Sequence, residues 1–208
     1  KEKEYMRLES DSIGTMEVPE DAYYGVQALR AKENFPITGT KLHPVFIKNL
    51  AKIKRAAAIT NRKAGRLKPE IANAIEASAN EVICGMFDKD FIVDGIQGGA
   101  GTSANMNMNE VIANRAIEML CGKKGDYTIV HPNDHVNMAQ STNDVIPTAG
   151  KLTVLDLLKP LDKSLSLLTD ALYDKAAAFD HIVKIGRTQL EDAVPMRLGQ
   201  TFHSYATM

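Results

Sequence analysis

The stretch LLKPLDKSLSLLTDAL, Leu157–Leu172, decides the fold class. Leu158, Leu161, Leu165, Leu168 and Leu172 alternate three and four residues apart, the spacing of a bundle-type stripe on one helix face. The helical pattern extends from about residue 143 to 179, with Pro160 expected to bend it or to mark two helices meeting. Such a stripe reads as core, not as a cofactor site. Apart from this helix, only the start of a last one, opened by Pro195, is available to cover it. Partners are therefore expected from further sequence, from other subunits, or from both.

Working outward, the signal upstream is helical nearly throughout. Phe46, Leu50, Ile53 and Ala57 recur at helical spacing and predict a helix over about 44–64, with Pro44 in its first turn and Gly65 as its stop. Pro69 opens the next helix, with Ile71, Ile75, Ala79 and Val82 on one face. Met108, Ile112, Ala116 and Met119 mark another, ending near Gly122. Residues 6–18, MRLESDSIGTMEV, read as two short strands around a turn near Ser12–Gly14. Residues 122–142 and 186–195 read as polar loops. The expected fold is mainly α. A helical domain with a small β-hairpin covers about 1–140, and the first, incomplete part of a long-helix bundle domain covers 141–208.

Composition narrows the functional classes. Hydrophobic residues make up 44% and charged residues 25% of 208, with a formal net charge of −1. That balance gives no general reason to expect nucleic acid or an anionic membrane as partner, and no apolar run approaches a membrane span. Cys84 and Cys121 form no metal-type spacing with histidine, so a reduced, cytoplasmic chain is expected. The charged start Lys1–Glu4 has no apolar segment behind it and no secretory signal is read there. Both ends look like cuts.

Three polar loops carry the chemistry. The first, QGGAGTSANMNMN (Gln97–Asn109), sets glycines, Thr102 and Ser103 before a helix, whose free N–H groups suit a carboxylate. Its bland reading is a glycine turn with Ser103 or Asn107 as N-cap, Asn107 and Glu110 resembling a capping box. The second, QSTNDVIPT (Gln140–Thr148), crowds Ser141, Thr142 and Asn143 at a helix start, where capping needs only one of them. The third, GRTQLEDAVP (Gly186–Pro195), offers Thr188 and Gln189 as neutral donors, with Arg187 free for an ion pair and Asp192 for capping the next helix. No strand–GxGxxG–helix unit, P-loop lysine or HExxH occurs. His131 and His135 flank Pro132; a metal there would need a third ligand and a helix, so a turn or a surface anion contact is preferred.

Together these loops resemble the aspartase/fumarase superfamily along nearly the whole chain. The likeness runs through AYYGVQALRAKENF (Ala22–Phe35), GGAGTSANMNMNEVIANRA (Gly98–Ala116), HPNDHVNMAQSTND (His131–Asp144) and GRTQLEDAVPMRLGQ (Gly186–Gln200). YYGV, GGAGTS, Ser141–Thr142–Asn143 and Gln189 are more similar to the aspartate ammonia-lyase branch than to class II fumarate hydratases. Argininosuccinate and adenylosuccinate lyases have different substrate loops.

The resemblance implies reversible deamination of L-aspartate to fumarate and ammonia through an aci-carboxylate intermediate, with no metal or other cofactor. By motif, Thr102, Ser141 and Thr142 would cradle the carboxylate that becomes the aci-form. Asn143 would bind the ammonium region, Thr188 the other carboxylate, and Gln189 would help orient the amine. His131, Asn133 and Asp134 match a second anion site of fumarases. The family's general base is a serine in a GSSxMPxKxN loop, and no such motif occurs here, so the chain alone is expected to be inactive. The family also builds each active site from several subunits of a homotetramer. The competing readings are a class II fumarate hydratase and a non-catalytic, crystallin-like protein on the same scaffold.

Overall fold

The computed structural model describes residues 5–208; the charged start Lys1–Glu4 lies outside them. The chain divides into two compact units, one up to Val154 and one spanning Leu155–Met208.

The first unit opens with an antiparallel hairpin, β1 (Met6–Ser10) and β2 (Thr15–Pro19), in register from Met6 opposite Pro19 to Ser10 opposite Thr15. Its turn is tied by Asp11, whose Oδ1 accepts the N–H groups of Ile13 and Gly14 at 2.9 and 3.0 Å. Four helices follow: α1 (Val26–Asn34), α2 (Pro44–Lys63), α3 (Pro69–Ile83) and α4 (Thr102–Met119). Pro44 and Pro69 each stand at a first helical position, where the missing N–H costs no hydrogen bond. Helices α2, α3 and α4 enclose the main core, with Leu50, Ile75, Met108, Ile112 and Ile117 fully buried.

Sequence periodicity anticipated α2, α3 and α4 but missed α1. The reason lies in how α1 is started. Gly25, at its N-cap, has no side chain to offer. Instead Glu110 on α4 accepts the N–H groups of Gly25, Gln27 and Ala28 at 2.8–3.0 Å, and Glu9 on β1 accepts that of Val26 at 3.0 Å. Two distant carboxylates thus do what a local cap does elsewhere. Arg7 completes the arrangement: its guanidinium donates to Glu9 and to the carbonyls of Pro19, Glu20, Ala22 and Tyr24. The capping box expected at Asn107 and Glu110 is therefore overturned. Both residues lie inside α4, fully buried, and Glu110 caps a different helix.

Helix α5 (Thr142–Ala178) begins in the first unit. It continues through Pro160 as one helix, so Pro160 does not mark a junction of two helices. In the second unit Leu158, Leu161, Leu165 and Leu168 are each about half exposed. A second hairpin, β3 (Val183–Thr188) and β4 (Glu191–Arg197), replaces the expected polar loop, and Pro195 sits in β4 instead of opening a helix. The last helix, α6, is Leu198–Thr207. It comes so close to the end of α5 that a Cβ on Gly199 would lie 2.4 Å from the Ala176 carbonyl oxygen. The Phe179 and Phe202 rings pack tilted at 51° with centroids 5.5 Å apart, and Arg197 pairs with Asp180 at 2.7 Å. Asp192 caps no helix; it approaches Arg187 at 3.7 Å on the exposed hairpin. No described helix is long and apolar enough to cross a membrane.

Glu110 is enclosed, and burial raises its carboxyl to about 7 against the pull of the three N–H groups. Replacing it strands three N–H donors at once, two of them buried. Glu110→Ala should lower the unfolding free energy by about 3 kcal/mol or more, measured by urea denaturation. A loss under about 1 kcal/mol would mean that α1 is held by other contacts.

Candidate active site

Helix α4 places the first loop. Gly101, its N-cap, takes the left-handed conformation at φ +75°, and a Cβ there would lie 2.9 Å from Ile146 Cγ2 on α5. Only glycine satisfies both the dihedral and the close approach. The contact brings the start of α4 beside the start of α5. Asn105, one turn into α4, bridges them: its Nδ2 donates to Thr142 Oγ1 at 3.2 Å and to Asn137 Oδ1 at 3.1 Å.

Thr102 is thus the first residue of α4 and Thr142 the first of α5, two helix N-termini gathered in one region. Thr102, Ser141 and Asn143 are exposed and Thr142 is half-buried. The Ser141 hydroxyl donates to Asn143 Oδ1, which fixes the two side chains against each other. Hydroxyl and amide donors beside helix starts can stabilise an oxyanion without waiting for solvent to reorganise.

The segment Pro132–Val136 forms one wide helical turn capped by His131, whose Nδ1 accepts the N–H groups of Asn133 and Asp134 at 3.2 Å. His135 Nδ1 in turn accepts the His131 N–H at 2.9 Å. Both imidazoles are engaged in shaping the turn, and among the described residues no group of three or more His, Cys, Asp or Glu is placed to hold a metal. Asn133 lines a cleft with Ser103, Asn34, Asp11 and Arg30. Arg30 is paired with Asp11 at 3.0 Å. Asp134 is exposed and does not line that cleft.

Thr188 and Gln189 belong to the second unit, at the tip of the β3–β4 hairpin. Thr188 pairs with Glu191, leaving a two-residue turn of Gln189 (φ +50°) and Leu190 (φ +66°). Turns of this kind favour Asn-Gly, because side chains disfavour positive φ. Neither residue here relieves that strain, and Leu190 is fully exposed. The absence of any Asn or Gly at the tip is also why the hairpin was not legible from sequence.

Lys54 is a site-supporting residue that sequence reasoning missed. It is fully buried, and its ammonium donates to Asn137 Oδ1 at 2.8 Å, the same oxygen that Asn105 uses. A signal existed. The buried residues of α2 are Ile47, Asn49, Leu50, Ala51, Lys54, Ala58 and Asn61, so Lys54 stands in the core register. Asn61, on the same face, donates to the Met138 carbonyl at 3.0 Å. Two polar side chains at core positions thus hold the segment leading into Ser141.

Burial lowers the Lys54 ammonium to about 7. The unfolded chain, with an ordinary lysine, then binds more protons than the folded one between pH 7 and about 10.4. This group therefore makes stability rise with pH across that window, its contribution being lost as pH falls toward 7. Lys54→Met should flatten the rise relative to wild type, measured by urea midpoints from pH 7 to 10. Parallel pH curves for the two proteins would contradict it.

Comparison with known proteins shows the family. The family model described as Lyase matches residues 14–208. An aspartate ammonia-lyase from Bacillus sp. is 52% identical over 97% of this chain and 43% of its own length. A class II fumarate hydratase from Halobacterium salinarum is 54% identical over 97% of this chain, again 43% of its own. The crystal structure of a fumarate lyase:delta crystallin from Brucella melitensis superposes with a TM-score of 0.89 at 48% identity, covering 98% of this chain and 48% of that one. The chain thus spans less than half the length of these relatives. With the family match covering nearly every residue, the chain belongs to the lyase family, in the aspartase/fumarase superfamily.

Proposed function

We propose that the protein to which these residues belong is an aspartate ammonia-lyase. The observation that carries the reading is the convergence of two helix N-termini, at Thr102 and Thr142, bridged by Asn105 and flanked by Ser141 and Asn143. L-Aspartate loses a proton from the carbon beside its side-chain carboxylate. The electron pair moves onto that carboxylate as a doubly charged aci-form, then returns as the C–N bond breaks and ammonia leaves. The difficult species is the aci-carboxylate, and preorganised hydroxyl and N–H donors stabilise it.

In this reading Thr102, Ser141 and Thr142 hold the carboxylate that becomes the aci-form, and Asn143 faces the ammonium. Thr188 holds the second carboxylate and Gln189 orients the amine. The base is assigned to a serine loop in the part of the relatives that this chain does not span, so these 208 residues alone would be inactive. The exposed leucine stripe of α5 supports assembly into a homotetramer with shared active sites. His131, Asn133 and Asp134 are assigned to a second anion site, and of the three Asn133 lines a cleft, which it shares with Ser103 and Arg30. A cytoplasmic location and L-aspartate and fumarate as the small-molecule partners complete the reading.

The Halobacterium relative favours a second reading, a class II fumarate hydratase releasing water from L-malate. Against it stand Ser141–Thr142–Asn143 and Gln189, which resemble the ammonia-lyase form. A non-catalytic structural role leaves the hydroxyl cluster at Thr102, Ser141 and Thr142 without a purpose.

Fumarate absorbance, followed with L-aspartate and L-malate separately, tests the reading on this chain and on the protein of its full reading frame. Only the longer protein should release fumarate, and only from aspartate. Thr142→Val in that protein should lower kcat/KM by about 100-fold or more. Turnover by the 208-residue chain alone would overturn the assignment of the base, and preference for malate would make the protein a hydratase.

A further inference from the structure

Gln97 is 7% exposed and lies just before the glycine loop. Its two amide ends do different work. Nε2 donates to the Asp94 carbonyl at 2.9 Å, and Oε1 accepts the N–H of Ala104 inside α4. Asp94 is itself anchored. Its carboxylate accepts the N–H groups of Thr38, Gly39 and Ile96 and the Thr38 hydroxyl at 2.6–2.8 Å.

The position of Ala104 gives these contacts their meaning. Counting from the N-cap Gly101, Ala104 is the third helical residue, whose N–H an ordinary N-cap side chain would take. Gly101 has no side chain, so Gln97 takes that N–H from outside the helix. The N–H groups of the first two residues, Thr102 and Ser103, have no acceptor among the described residues. Gly98, Gly99 and Gly101 make the intervening loop conformationally free, and two of them hold positive φ. Gln97 closes that loop at both ends.

Charge decides why an amide suits this place. Aspartate, glutamate or a hydroxyl would also cap the helix, and a carboxylate would even be favoured by the helix dipole. It would, however, spend the positive end of α4 on the protein itself. We propose that Gln97 is a positioning residue: a neutral clasp that fixes the start of α4 on the Asp94 anchor while leaving the N–H groups of Thr102 and Ser103 for a substrate carboxylate. The inference rests on the proposed lyase reading and deepens it by naming what sets the geometry at Thr102.

The test is steady-state kinetics with L-aspartate, inhibition by fumarate, and thermal unfolding, all on the full-frame protein. Gln97→Glu keeps an acceptor for Ala104 but loses the donor to the Asp94 carbonyl, and should lower Tm by about 5 °C while remaining folded. It should nonetheless raise KM for aspartate and the fumarate inhibition constant about 10-fold or more by charge repulsion. Gln97→Ala should lower kcat/KM by about 10- to 100-fold. His43→Ala, which removes the cap that Val45 N–H uses on α2, should shift Tm without moving kcat/KM. A merely structural cap predicts that same pattern for Gln97. If both Gln97 variants keep kcat/KM within twofold of wild type, the proposal is overturned. If Gln97→Ala does not fold, Gln97→Glu carries the test alone, since it retains the cap. A wild type inactive on both aspartate and malate overturns the functional reading itself, and this proposal with it, whereas an active wild type with indifferent Gln97 variants overturns this proposal only.

Discussion

Helix α4 buries a row of polar side chains, most of whose polar atoms find partners on other elements, with Asn105 Oδ1 and Asn109 Oδ1 left without one among the described residues, and most of the first unit is arranged around those pairings. From Ala104 to Asn114 every residue is buried, including Asn105, Asn107, Asn109, Glu110 and Asn114. Asn107 takes the Ile92 N–H and donates to the Asp90 carbonyl; Asn114 takes the Gly125 N–H and donates to the Tyr23 carbonyl. Glu110 starts α1, and Asn105 reaches Asn137 and Thr142. A buried polar group without its partner costs about 1–3 kcal/mol. A shift of α4 by one residue would break these pairings together. The helix therefore fixes both the register of its neighbours and the site at its N-terminus.

The site inherits that rigidity. Thr102 and Thr142 lie on different elements, yet each is set by a contact that leaves little choice. At Gly101 the left-handed turn presses against Ile146, and at Asn105 a single amide ties two segments. Lys54 donates to Asn137 from a fully enclosed position, so the segment before Ser141 is held from the core side as well. Donors held in this way need not reorganise as charge develops on a ligand, which is the physical advantage a carbanion-forming lyase requires.

Much of this was legible in the sequence, for local reasons. Apolar spacing and prolines located α2 and α3 to within a residue or two, and the hydroxyl-rich loops were singled out before any fold was known. What escaped was long-range. The start of α1 depends on carboxylates from β1 and α4, so no local cap announced it. Glu110 looked like part of a capping box because sequence spacing cannot tell a helix start from a helix interior. The second hairpin lacks turn glycines, and its strands are exposed enough to show no clear alternation. Of the two readings of Pro160, the junction of two helices is set aside, because α5 continues through it. Lys54 escaped because the apolar spacing of Phe46, Leu50, Ile53 and Ala57 draws attention to apolar residues alone, while the buried face of α2 also carries polar ones.

The central claim is that the converging starts of α4 and α5 form the carboxylate-binding part of a lyase active site. A crystal structure of the full-frame protein with succinate, an unreactive dicarboxylate, tests it most directly. The account predicts one carboxylate within hydrogen-bonding distance of Thr102 and of at least one of Ser141, Thr142 and Asn143. Succinate bound elsewhere, with those residues contacting none of it, would contradict the account.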